Sequence, residues 1–350
     1  MLASAGVAAL SEALPAARLS YLVGPWSLEV ARRGPPLNEL LTCDFPGFTR
    51  RPKGSPWSPY QELARQALRL RSHRYDLAVI LRPDHWWGAL LAMCAGIPRR
   101  LGYAVPLTQP LLTNALPLPP RAHNAELGLT LAAAAAALAR ESGGDLAEAD
   151  AFASHHPVVF RLFDDDEREA ERLLERHGLG TRPLLVVHPG SGSPLKGWPA
   201  ERWAEAADAL ADRLGAYVLL SGGSGEQSLV LEVAAGMARP AEVLAGEASL
   251  GALGAILRRA KLVLGADSGP LHLATAVGAP TLRLYGPTDT AHFGPWGSES
   301  RHRLARIHLP CSPCGNLVNP PCGASATPAC MTGIAVSQVL SEQTLLAAGG

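Results

Sequence analysis

Two segments in the second half of the chain are built from the residue types that hold phosphate. In HPGSGSPLKGWP (188–199), Gly190 and Gly192 let the backbone approach an anion, Ser191 and Ser193 offer hydroxyl donors, and Lys196 supplies a point charge. An ordinary glycine-rich strand-to-helix turn is the plainer alternative. The G-x-x-x-x-G-K-[ST] order of a Walker A loop is absent.

The second segment, LGADSGPLHLATAVGAPT (264–281), places Asp267 at the end of an apolar run. Ser268 stands where a helix would be capped, Gly269 leaves the first turn open, and His272 follows one turn in. A helix N-terminus carries about half a unit of positive charge, which suits a diphosphate. Glu226, after LLSGGSGEQ, is placed to accept hydrogen bonds from ribose hydroxyls, and YGPTDTAHFGPWG (285–297) adds a turn at Pro287, Thr288 and Asp289. In the plain reading these are a capped helix with a core histidine, a lone surface acid and a surface turn.

The elements that must position these residues alternate strand and helix, the rhythm of parallel sheets covered by helices. In the first half, 5–14, 60–74, 85–95 and 124–140 have helical spacing, and 18–23, 39–45 and 76–81 read as strands. The segment 46–59 is rich in Arg, Pro and Gly and reads as loop, with Arg50, Arg51 and Lys53 either meeting an anionic acceptor or simply solvated. The stretch 143–157 is small and polar, as at a domain boundary. The helix 164–177 begins with acids and ends with bases, matching its dipole, and its charge run reads as a solvated face. A second series then runs through strands at 184–189, 216–222, 261–267 and 281–287, with helices at 199–214, 226–237, 250–258 and 269–277.

A chain of 350 residues exceeds one core of typical size and divides most simply into two domains. Lys plus Arg and Asp plus Glu both number 31, so no global field draws nucleic acid. No apolar run reaches the roughly 18 to 20 residues of a membrane span. The opening residues carry no early basic charge, which argues against a signal peptide.

These segments together resemble glycosyltransferase family 9, the ADP-heptose:lipopolysaccharide heptosyltransferases. The likeness rests on HPGSGSPLKGWPAERWAEAADAL, on LGADSGPLHLATAVGAPTLRLYGPTD, and on CSPCG with the later CMTGIAVSQVL. It extends more weakly to ARLSYLVGPW and DHWWGALLAMCAGIPRRLGY.

The resemblance implies an α/β, GT-B fold of two Rossmann-like doubly wound parallel-sheet domains facing across a cleft. An acceptor-binding domain would occupy 1–160, a nucleotide-sugar donor domain 161–332, and a tail 333–350. It implies inverting, metal-independent transfer of a sugar, heptose first among candidates, from a nucleotide-diphosphate donor such as ADP-heptose to a hydroxyl of a lipopolysaccharide core or related glycan, with no cofactor. Carried over residue by residue, Lys196, Ser191, Gly192 and Ser193 would hold the donor phosphates, and Glu226 the ribose. Asp267, Ser268, Gly269 and His272 would surround pyrophosphate and sugar, with Lys196 and Asp267 as the catalytic pair. The partners implied are the donor and a glycolipid or saccharide acceptor. The expected location is cytoplasmic, with peripheral contact at the inner membrane face.

One departure stands out. The family opens with a strand and a Gly-Asp dipeptide, whose Asp is the general base, leading into a helix that MLASAGVAAL resembles. Either the start lies upstream of Met1 or the chain lacks this base, and the cost of omitting a central strand favours the first. On the acceptor side Asp84, which also fits a helix cap, and His85 are substitute candidates, and His123 is weaker. Two alternatives remain at this stage: a non-catalytic nucleotide-sugar-binding protein, or a nucleotide-sugar epimerase of similar architecture, for which no second set of carboxylates is evident. A dinucleotide-dependent oxidoreductase is disfavoured, because no G-x-G-x-x-G follows a strand.

Cys311, Cys314, Cys322 and Cys330 form C-x₂-C-x₇-C-x₇-C. The first pair has zinc-ligand spacing and the later gaps do not, so structural zinc and plain structural cysteines both remain open. Cys43 and Cys94 fall in apolar runs and read as buried thiols.

Overall fold

The computed structural model describes residues 1–46, 55–141 and 156–348. Most of the loop 46–59, with Arg50, Arg51 and Lys53, and nearly all of 143–157 lie outside the described residues. The chain divides into two compact units, Met1–Val159 and Phe160–Gly350.

In the first unit, helix α1 (Ser4–Ala13) precedes strand β1 (Ser20–Val23), which pairs in parallel with β2 (Glu39–Thr42) across the short helix α2 (Leu28–Arg32). Helix α3 (Ser58–Arg71), strand β3 (Leu77–Val79), helix α4 (Trp86–Cys94), strands β4 (Arg99–Tyr103) and β5 (Asn114–Leu116) and helix α5 (Asn124–Glu141) complete it. The last three strands form a parallel sheet in the order β3-β4-β5. Helices α1 and α5 meet through glycine: a β-carbon on Gly6 would lie 2.4 Å from the Gly128 carbonyl, an approach no side chain permits. Cys43 is buried as the apolar run predicts, and burial, with the Glu62 carboxylate beside it, pushes its thiol up to about 12. Cys94 is exposed instead, because it lies in the last turn of α4 on the face away from the core.

The second unit starts with α6 (Asp164–Arg176) and then winds β6 (Leu184–His188), α7 (Ala200–Leu214), β7 (Tyr217–Leu220), α8 (Gln227–Gly236), β8 (Ala241–Val243), α9 (Leu250–Arg259), β9 (Ala260–Ala266), α10 (Gly269–Ala276) and β10 (Thr281–Leu284). The short helix α11 (Thr290–Phe293), β11 (His302–Ala305), α12 (Ala329–Thr332) and α13 (Val336–Ala348) follow. All strands pair in parallel in the order β11-β10-β9-β6-β7-β8. Every residue of β6 is buried, as a strand covered on both faces requires. Trp203, wholly buried, meets Trp198 edge-on at 4.9 Å, and the Trp198 indole donates to Ile334 O at 3.1 Å. That bond ties the segment leading into α13 to the α7 face of the sheet, so Ile334 and Val339 of the stretch expected to be a tail sit in this core.

The acidic run of α6 is not simply a solvated face. Glu167 pairs with Arg258 at 2.7 Å, Glu171 with Arg259 at 2.8 Å, and Glu169 accepts from the Ser249 amide at 2.9 Å, which docks α6 on α9.

Strand order positions the site. From β6 the chain winds outward through β7 and β8, then returns to place β9 on the other flank of β6. The order therefore reverses between β6 and β9, and in open α/β sheets the crevice beyond the strand ends at such a point is where ligands bind.

Candidate functional site

Loops leaving β6, β7 and β9 bring most of the donor-side candidates to that crevice. The β6 loop folds on itself. Ser193 caps the turn Pro194–Lys196 by accepting from the Leu195 amide at 3.3 Å, and the Ser191 hydroxyl donates to Ser193 O at 2.7 Å. These two hydroxyls make local bonds within the loop that carries Lys196. Gly192 is exposed.

Lys196 reaches across the reversal. Its Nζ donates to Asp267 O at 2.8 Å and lies 3.2 Å from Asp267 Oδ2, joining residues 71 positions apart. The Asp267 amide is held by Leu284 O at 3.2 Å, so β10 fixes where β9 ends. The other carboxylate oxygen, Oδ1, lies 3.3 Å from His272 Nε2. Burial alone would push the Asp267 carboxyl up, but the His272 hydrogen bond and the Lys196 charge outweigh it and hold it at about 2, against an ordinary 3.8. His272 is shifted down, by burial first. At neutral pH Asp267 is thus a carboxylate and His272 a neutral imidazole.

Ser268 occupies the N-cap position of α10, yet its side chain makes no capping bond, contrary to expectation. Its backbone is extended, with φ of −155° and ψ of 165°, and Oγ is buried without a partner. A β-carbon on Gly269 would meet nothing within 4 Å, so the space over the first turn of α10 is open. An unpartnered hydroxyl beside open helix amides is an arrangement that an oxyanion would satisfy.

Glu226 reaches the same end of the sheet from the β7 loop. Its Oε2 accepts from the Gly223 amide at 2.7 Å, and its carboxylate lies against Gly190, where a β-carbon would sit 2.1 Å from Oε1. Gly190 is therefore required for Glu226 to occupy this place. His188, which ends β6, was not foreseen. It is buried, bridges to Ser221 Oγ at 3.1 Å and approaches Glu226 Oε2 at 3.7 Å. A histidine closing an otherwise apolar strand was the available signal.

The third loop serves locally. Asp289 caps α11 by accepting from the Ala291 amide at 2.9 Å, while Thr288 lines a cavity of about 210 Å³ with Tyr285 and Arg306.

In the first unit, His85 rather than Asp84 caps α4, its Nδ1 accepting from the Gly88 amide at 2.9 Å. Asp84 pairs with Arg82 at 2.5 Å, a hydrogen bond that lowers its carboxyl below the ordinary 3.8 and makes it a weaker base. His123 is buried and its Nδ1 accepts from the Ala125 amide at 3.2 Å.

The four C-terminal cysteines are free, with Cys330 buried and Cys311 and Cys322 exposed. Among the described residues no three His, Cys, Asp or Glu side chains are grouped as a metal ion would need, so the geometry lends the zinc reading no support. No helix among the described residues is long and apolar enough to cross a membrane.

Comparison with known proteins adds the chemistry. The sequence profile of glycosyltransferase family 9 (heptosyltransferase) matches residues 63–320. Lipopolysaccharide heptosyltransferase 2 of Escherichia coli K12 is 26% identical over 293 residues, covering 82% of this chain and 79% of the relative. Lipopolysaccharide heptosyltransferase 3 of the same strain is 25% identical over 299 residues, covering 83% and 80%. Among solved structures, the E. coli ADP-heptose heptosyltransferase II superposes with a TM-score of 0.73 at 22% identity, over 99% of this chain and 95% of that one. A family 9 glycosyltransferase from Veillonella parvula gives 0.76 at 23% identity, over 99% and 93%. The α/β, GT-B fold expected from the sequence is the fold of these structures.

Proposed function

The chain belongs to glycosyltransferase family 9, the heptosyltransferases, and from that premise we propose that it moves heptose from ADP-heptose to a hydroxyl of a lipopolysaccharide core. The single observation that carries this reading is the clamp of Lys196 by Asp267 at the β6/β9 reversal, beside the open N-terminus of α10. The epimerase and non-catalytic binding alternatives are not favoured.

In this reading the acceptor oxygen attacks the anomeric carbon of the donor from the face opposite the diphosphate. A new C–O bond forms, the bond to the diphosphate breaks, and its electron pair leaves on the ADP β-phosphate. Lys196 Nζ, the α10 amides and the Ser268 hydroxyl receive that growing charge, which is the point where preorganised donors contribute most to rate. Asp267 keeps Lys196 in place, and its low pKa keeps it anionic throughout. Glu226 accepts from the ribose hydroxyls and so selects a nucleoside diphosphate over bare pyrophosphate. The acceptor proton passes to a general base as the new C–O bond forms.

We further propose cytoplasmic action on a lipid-linked acceptor by peripheral contact with the inner membrane. Co-sedimentation with vesicles carrying the acceptor tests this, and no vesicle-bound fraction would reject it.

The central experiment incubates the protein with ADP-heptose and a heptose-deficient core oligosaccharide and follows both by mass spectrometry. Expected are release of ADP and an acceptor heavier by one heptose. Binding of ADP without any transfer, across a panel of core acceptors and nucleotide sugars, would reject the transferase reading.

A further inference from the structure

Arg283 lies in β10 between Leu282 and Leu284, and its side chain is wholly buried. Taking a guanidinium out of water is expensive, and an apolar side chain of similar volume would fill the space without that cost. Among the described residues no carboxylate pairs with it. Its donors go to neutral acceptors instead: Nη2 to Leu271 O at 2.6 Å and to Thr275 Oγ1, and Nε to Thr281 Oγ1 at 3.3 Å. The remaining arm, Nη1, lies 3.4 Å from His272 Nδ1.

A guanidinium has only donors, so the imidazole nitrogen facing it must present a lone pair. The proton of a neutral His272 then resides on Nε2, the nitrogen 3.3 Å from Asp267 Oδ1. Cation on one side and carboxylate on the other leave one tautomer that satisfies both contacts.

We propose that Arg283 is a positioning residue that locks His272 in the neutral Nε2–H tautomer, so that His272 holds one oxygen of Asp267 while the other clamps Lys196. The order of donation runs Arg283 Nη1–H to His272 Nδ1, His272 Nε2–H to Asp267 Oδ1, and Lys196 Nζ–H to Asp267 Oδ2. The ionisable groups around the imidazole include Asp267 and Arg283 and, through them, Lys196, Tyr285 and His302. If His272 were protonated, a second cation would compete with Lys196 for the same carboxylate. Burial first, with the Arg283 charge, lowers its pKa and outweighs the Asp267 contact that raises it, consistent with a neutral ring. The consequence for donor binding rests on the transferase reading above, whereas the tautomer does not.

The test is a long-range ¹H–¹⁵N correlation spectrum of histidine-labelled wild-type protein at pH 7, with the His272 signals assigned by their loss in His272→Gln. The expected pattern is a protonated Nε2 and an unprotonated Nδ1. A protonated Nδ1, as the other tautomer or as imidazolium, overturns the proposal whether or not the protein transfers sugar. A double-mutant cycle on ADP affinity gives the functional arm. Arg283→Met should weaken ADP binding about tenfold when His272 is present and less than about twofold in the His272→Gln background. Equal losses in the two backgrounds would assign Arg283 to packing alone and also overturn it.

Discussion

Replacing Lys196 with Met removes the side-chain cation that Asp267 clamps at the β6/β9 crevice while keeping an unbranched stem of similar length. The side chains of Lys196 and Asp267 are only 13% and 6% exposed, so bulk water does not restore the missing charge. Loss of one preorganised donor to a developing oxyanion lowers kcat by about 10² to 10³, or roughly 2.7 to 4 kcal/mol. Stability is the competing effect. Breaking a buried pair costs about 3 to 5 kcal/mol, but Asp267 keeps its His272 partner, which places the cost near the lower end, at about 3 kcal/mol. A native state stable by about 5 to 15 kcal/mol survives that loss. Lys196→Arg should recover only part of the rate, because the longer planar guanidinium has to displace its neighbours to bring a nitrogen to the buried spot where the compact ammonium meets Asp267 O and Oδ2. ADP release at saturating donor and acceptor measures kcat, and a melting curve confirms folding. A folded Lys196→Met protein with kcat within about threefold of wild type would refute the clamp argument.

Glu226→Gln should weaken ADP by about tenfold, since a charge-assisted hydrogen bond is worth roughly 1.5 to 3 kcal/mol, and leave pyrophosphate binding unchanged. Calorimetry with both ligands decides, and equal losses would remove Glu226 from the ribose. Gly190→Ala puts a β-carbon 2.1 Å from Glu226 Oε1 and should reproduce the Glu226→Gln loss, with the double variant no weaker than either single one. Ser268→Ala should leave the free protein as stable or more stable by about 1 kcal/mol, because the hydroxyl is buried without a partner, yet lower ADP affinity. A destabilised free protein would show that the hydroxyl has a structural partner. Burial first, then the charges of Arg283 and Arg301, lower the His302 pKa from 6.5 to about 4. The unfolded chain therefore takes up this proton first, and stability is lost as pH falls from about 6.5 toward 4, by about 2 kcal/mol at pH 5. Denaturant titrations of wild type and His302→Gln between pH 7 and 5 check this, and parallel slopes would count against it.

The candidate donor site was legible loop by loop, because each loop is local in sequence. LLVVH reads as a strand buried on both faces, the glycines and serines that follow mark a turn, and Asp267 closes another apolar run. The strands that escaped notice are short or charged: β4 opens with Arg99 and Arg100, β8 and β5 have three residues each, and β11 contains Arg303. Their pairing is fixed by neighbours in the sheet and leaves little trace in side-chain alternation. The Ser268 cap failed for a related reason. Its residue type suits a cap, but in the fold its hydroxyl makes no bond to the first-turn amides of α10, and local propensity does not carry that information.

Strand order explains both what was legible and what was hidden. Lys196 and Asp267 are 71 residues apart, and nothing in either segment says that they touch. They touch because β9 returns to the flank of β6 opposite β7, and a parallel sheet wound in this way brings the loops after its first strand and its first returning strand to one crevice. Arg283 depends on the same order. As a residue of β10 it lies on the outer flank of β9, behind the helix that starts just after Asp267, so its guanidinium reaches Leu271 O, Thr275 and His272 from beneath α10. In the sequence it is one charged residue inside TLRL, where burial of that strand alone demanded a reason for a cation. The reason became visible only once α10 was packed over it, because Leu271 O, Thr275 Oγ1 and His272 Nδ1 all come from that helix.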